Sequence, residues 1–242
     1  MCWVAHSFFQ ERMMRNYNYD EFSSRGYDLD NFNGPEVGEK AHDFSLLSID
    51  CKKVNLLDFT GEFLVLELGS ITCPLFQGRR EGMRDLVEQF PDVSFSVLYV
   101  REAHPGSNIP SHQSLNDKIL CAKQLKSDDE KRHIIIDDLK GTAHNAYGGY
   151  PNSIFIINKN GCVVFRSDWN NVSATKVALS RLLSGSPANI KSYFFPAKLS
   201  TSIKTLRRNG NGAIRDFLVG LPTLIWKNLI KRNILLLFKR NK

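Results

Sequence analysis

The chain has no C-x-x-C pair, and no window approaches eighteen consecutive apolar residues. The first absence excludes a dithiol that cycles through its own neighbouring disulfide and argues against a zinc site. The second leaves no transmembrane helix to expect. The opening MCWVAHSFFQERMMRNYNYDEF holds no apolar stretch of signal-peptide length, so the expected location is cytoplasmic. The five cysteines, Cys2, Cys51, Cys73, Cys121 and Cys162, are odd in number and widely spaced. That is not a secreted disulfide framework. No internal repeat is visible.

Acidic residues are scarce at one end. From Gly185 onward Asp216 is the one acid against twelve Lys and Arg. Twenty basic and 24 acidic residues precede it, so a body of charge −4 carries a tail of +11. Attraction to anionic surfaces therefore belongs to the tail. Residues 212–242 add an apolar stripe of Leu221, Leu224, Ile225 and Leu229, with Pro222 near a new helix start. Lys227, Lys231, Arg232, Lys239 and Arg240 are interleaved. Such a helix either lies on a membrane surface or docks on its own domain or a second subunit. Nucleic acid is not expected, because no binding module accompanies the charge.

Three segments follow: an arm (1–35), a body (36–185) and the basic tail (186–242). The arm reads as partly helical and ends at Gly34-Pro35. In the body, 43–50 and 53–59 form a short hairpin. FLVLELG (63–69) is apolar enough to be a strand covered on both faces. A helix follows Cys73-Pro74 with Phe76, Met83, Leu86, Val87 and Phe90 on one face. VSFSVLYV (93–100) closes a parallel βαβ unit. A loop (101–112) precedes a helix capped by Ser114, with Asp117 three residues on. A strand at 133–137, a hairpin at 153–166 turning at Asn160-Gly161, and a helix ending at Gly185 complete the body. This order of elements is that of a thioredoxin-like α/β fold: a central mixed sheet flanked by helices.

In such a sheet the useful place is the C-terminal edge of the central strands. Cys73 stands there, with Pro74 suited to the first helical turn. Free amides and the helix dipole would favour a thiolate nucleophile. A small core cysteine is the plainer alternative. Pro151, before the hairpin, occupies the place where this fold sets a cis-proline opposite its cysteine.

GSITCPLF (69–76), REAHP (101–105), IPSHQSLNDK (109–118) and AYG (146–148) together resemble the iodothyronine deiodinases over about residues 36–183. That family carries selenocysteine where Cys73 stands. The resemblance implies Cys73 as attacking group, with Ser70, Glu102, His104 and His112 as the polar surround that delivers a proton. It implies Thr72, Pro74, Pro151 and Arg166 as substrate contacts. It implies reductive dehalogenation of an iodinated aromatic compound with an external thiol, such as glutathione or thioredoxin, as reductant. No bound cofactor and no metal are expected. Ile71 stands where the family often has a second cysteine. A one-cysteine peroxide or thiol reductase, resolved by Cys121 or by another protein's thiol, is the second reading. A thioredoxin-like scaffold whose tail binds a membrane or partner is the third, and a second copy of the chain is a further expected partner.

Overall fold

The structure, a computed structural model, describes residues 17–238. Cys2, Lys239 and Arg240 lie outside the described residues.

Seven strands form one mixed sheet: β1 (Ser45–Ser48), β2 (Lys53–Asn55), β3 (Phe63–Gly69), β4 (Ser94–Tyr99), β5 (His133–Ile136), β6 (Ile154–Asn158) and β7 (Val163–Ser167). Their order is β2-β1-β5-β4-β3-β6-β7. β3, β4 and β5 run parallel, while β6 is antiparallel to β3 and β7 to β6. The parallel core with its antiparallel hairpin is the thioredoxin-like arrangement.

α1 (Pro74–Gln89) is the crossover from β3 to β4, so both strands aim their C-terminal ends at one edge. Leu64, Leu66 and Leu68 of β3 pack on one face of the sheet, and Val65 packs with Met83 and Leu86 of α1 on the other. Gly69 allows α1 to start there. A β-carbon on it would lie 2.2 Å from the Phe76 ring. α2 (Leu115–Ser127) opens with a complete capping box between Ser114 and Asp117. α3 (Thr142–Ala146) and α4 (Val172–Leu183) complete the body.

Among the described residues the arm contains the short 3-10 turn Ser24–Gly26 and otherwise runs over the body through bends. Its tyrosines fix its path. Tyr17 Oη donates to His144 Nδ1 (2.8 Å), because His144 Nε2 is committed to donating to the Tyr150 carbonyl (3.1 Å). Arg101 lies 4.9, 4.8 and 4.9 Å from the ring centres of Tyr17, Tyr19 and Tyr27. A buried guanidinium is thus held by aromatic faces.

After a non-helical stretch (186–198) the described tail is mostly helical: α5 (Leu199–Asn209), α6 (Ala213–Leu224), a π-helical stretch (Ile225–Arg232) and α7 (Asn233–Phe238). Pro222 stands inside α6, not at a new start. The i→i+5 register begins three residues later, where a proline has already broken the regular ladder. The tail turns its apolar stripe onto this domain. Leu221, Leu224, Ile225 and Leu229 all face a cavity beside Cys73. Among the described residues no helix is long and apolar enough to cross a membrane.

Candidate active site

Cys73 is the N-cap of α1, and Pro74 takes the first helical position. Pro lacks the N–H that the first turn would leave unpaired, so this start suits the sequence. The thiol sits at the floor of a cavity of about 240 Å³. Pro74, Leu75 and Pro151 surround it on the body side. Phe22, Tyr27 and Leu29 come from the arm. Trp169, Phe194 and Phe217 supply more aromatic surface, and the tail stripe closes the roof. Pro151 reaches this place through a trans peptide bond, not the cis bond its position suggested. Gly148 and Gly149 precede it with φ of 91° and 70°. These left-handed residues supply the turn.

Burial changes the chemistry of the thiol. The Leu75 and Phe76 amides pull its pKa down as expected of a helix start, but burial outweighs them and pushes it up to about 12. The expectation of a thiolate at rest is therefore corrected: Cys73 is a thiol in this closed form.

His104 also lines the cavity. It packs between the Phe22 ring (centroids 4.2 Å) and the Phe217 ring (5.4 Å), and its Nδ1 has no hydrogen-bond partner. Burial among rings lowers its pKa to about 3, so the imidazole is neutral.

The other residues expected at the site form a second, fully buried layer behind Cys73. Glu102 Oε2 accepts from Thr72 N (3.1 Å) and Thr72 Oγ1 (2.5 Å), while Oε1 accepts from Tyr99 Oη (2.5 Å). His112 Nε2 is 3.0 Å from Glu102 Oε1, off the line of a straight hydrogen bond. Burial would raise the Glu102 pKa, but His112, Thr72 and Tyr99 together hold it below the usual range. Glu102 is thus an ionised anchor. Ser70 Oγ accepts from Ala103 N (3.2 Å) and Thr72 Oγ1 accepts from His104 N (3.2 Å), which ties the Cys73 turn to the loop carrying His104. Ser70, Thr72, Glu102 and His112 do not line the cavity. For Thr72 this corrects the expectation of a substrate contact.

Arg166 is not at the site. It donates to the Gly34 carbonyl (2.5 Å), pairs with Glu36 and lies over the Phe32 ring (5.2 Å), fastening the arm to β7. The expectation that it contacts substrate is corrected by the direction of β7, which points it at the arm. Cys121 packs at the edge of the core below the site, and burial raises its pKa to about 12.

Three features escaped the sequence reading. Glu67, the single charge in FLVLELG, is buried against Arg132 and accepts from Asn152 (2.7 Å) and Asn170 (2.6 Å). A lone acid in an otherwise apolar strand was the available signal. Tyr99 anchors Glu102, and a strand-end tyrosine carries no such signal. Asn209, at the end of α5, donates to the carbonyls of Thr72 (3.1 Å) and His104 (2.9 Å). Nothing local in the tail sequence marks it.

The family profile "Iodothyronine deiodinase" matches residues 6–172. Thyroxine 5-deiodinase of Gallus gallus is 30% identical over 145 residues, which are 54% of this chain and 56% of that protein. The Homo sapiens thyroxine 5-deiodinase is 30% identical over 132 residues, 49% and 43% of the two chains. The chain spans about half the length of the curated relatives it matches. Among solved structures, an uncharacterized conserved protein from Geobacillus kaustophilus superposes with a TM-score of 0.52 at 19% identity, covering 66% of this chain and 86% of that one. A hypothetical protein from Sinorhizobium meliloti 1021 gives 0.51 at 15% identity, covering 63% and 87%. These two share the fold. With the profile covering well over half of its length, the chain belongs to the iodothyronine deiodinase family.

Proposed function

We propose that this protein is a thiol-dependent reductive dehalogenase of iodinated aromatic compounds, with Cys73 as nucleophile. One observation carries the reading: the Cys73 thiol and a neutral His104 share an aromatic-lined cavity. A flat, apolar ring fits such walls, and the reacting atoms would meet away from water.

The proton count closes within the site. Neutral His104 takes the thiol proton as Sγ attacks iodine. The S–I bond forms, the C–I bond breaks, and its electron pair goes to the ring carbon. His104 then gives the proton to that carbon. Thiol plus aryl iodide thus become sulfenyl iodide plus arene. An external thiol displaces iodide to give a mixed disulfide, and a second thiol releases Cys73 as a thiol. The Glu102 network holds the two reacting loops in register.

A one-cysteine peroxide reductase needs no ring-lined cavity, so the aromatic walls around Cys73 favour dehalogenation over it. The test is iodide release under excess dithiothreitol from thyroxine, iodotyrosine and a simple iodophenol. Release by wild type and none by Cys73→Ser is expected. Release that persists in Cys73→Ser would overturn the assignment.

A further inference from the structure

We infer that the ligand of this cavity is an uncharged, single-ring halogenated phenol, without the carboxylate and ammonium groups of an amino acid. The inference rests on the dehalogenase reading and narrows its substrate class.

The lining decides it. No Lys, Arg, Asp or Glu contributes to the walls. The polar side chains there besides Cys73 are neutral: His104, Ser202, Asn228 and Tyr27, whose hydroxyl is paired with Tyr19. Asn228 Oδ1 accepts from Trp169 Nε1 (3.1 Å), and its Nδ2 is a neutral donor. Such groups can serve one hydroxyl. They cannot balance a buried carboxylate, whose desolvation needs a paired charge.

Buried Arg101 stands behind the Tyr27 ring and does not line the cavity, and Lys227, Lys231, Arg232, Arg79 and Arg166 are already committed. On the π-helical stretch that supplies Ile225, Asn228 and Leu229, Lys227 and Lys231 both pair with Asp30, and Arg232 pairs with Asp168. Arg79, beside the Cys73 turn, donates to the Asn170 and Phe195 carbonyls. Arg166 is fastened to the arm. Size points the same way. At about 240 Å³ the cavity falls below the ~300–1,000 Å³ of sites for drug-sized ligands. It suits one ring and its halogen.

The test compares a matched pair with the same ring, 2-iodo-4-methylphenol and 3-iodotyrosine, at pH 7. Calorimetric titration of full-length Cys73→Ser reads binding, and iodide release by wild type reads turnover. The phenol is expected to bind on the order of 100-fold more tightly. Equal or tighter binding of iodotyrosine, or no binding of the phenol, would overturn the inference. Phenol binding without iodide release would sustain the ligand class and sink the dehalogenase reading. Faster deiodination of iodotyrosine would do the reverse. Ile225→Arg supplies a further check, because Ile225 is partly exposed at the cavity wall and tolerates a long side chain. It is expected to shift the preference toward iodotyrosine at least tenfold, and no shift would count against the inference.

Discussion

Asn209 Nδ2 donates to the carbonyl oxygen of Thr72 at 3.1 Å, one residue before the proposed nucleophile. The same nitrogen donates to the His104 carbonyl at 2.9 Å. One tail side chain therefore clamps both halves of the site. The close approach depends on Gly210, whose φ of 99° and missing side chain let the tail pass within 2.6 Å of Asn108 N, measured from where a β-carbon would stand.

Asn209→Ala removes both bonds and leaves two buried carbonyls without this donor. A loss of about 1–3 kcal/mol is expected. Because the roof over Cys73 loosens, its alkylation by iodoacetamide should accelerate, read peptide by peptide so that exposed Cys51 does not mask it. Unchanged Cys73 labelling in a destabilised variant would separate the clamp from the roof.

Glu67→Leu tests the buried ion pair under the sheet edge. The substitution keeps the strand apolar but removes a carboxylate from Arg132 and orphans the Asn152 and Asn170 amides. Breaking one side of such a pair costs roughly 3–5 kcal/mol. Arg132 keeps Glu130, which places the expected loss at the lower end. Urea unfolding measures it. A neutral result would mean that the network adds no net stability.

Arg166→Ala separates the arm from the chemistry. Arg166 holds the Gly34 and Pro35 carbonyls and Glu36, not the cavity. KM for an iodinated phenol should stay within about twofold, while stability falls by about 0.5–1.5 kcal/mol from the lost part-buried bonds. A large rise in KM at full stability would return Arg166 to substrate binding.

The body was legible because its signals are local and periodic. FLVLELG and VSFSVLYV announce buried strands, and Ser114 with Asp117 announces the α2 cap that the structure shows. The place of Cys73 followed from strand, turn and Pro74. What was not legible depends on distant packing. The thiol's raised pKa comes from burial among residues distant in sequence, so the helix-start argument alone gave the wrong sign. The apolar stripe of the tail was plain, but periodicity does not say what a stripe covers. Arg166 and Thr72 were read from motif position, and side-chain direction overruled both.

His104 gives a pH dependence with a definite sign. In the folded protein its pKa is about 3, while an unfolded histidine stays near its ordinary value of 6.5. Between those values the unfolded chain binds a proton that the native chain refuses. Stability is therefore present above about pH 6.5 and declines as pH falls toward 3. His144, also buried and depressed, acts in the same direction, as do the carboxylates whose native pKa values are lowered. His104→Phe isolates the one group, since a phenyl ring suits the space between Phe22 and Phe217. The expected result is a shallower loss of urea midpoint from pH 7 to pH 4 in the variant than in wild type. Iodide release should fall steeply in the same variant at every pH, because the proton carrier is gone. Parallel stability profiles would show that His104 is protonated in the native state, and full activity would remove it from the proton path.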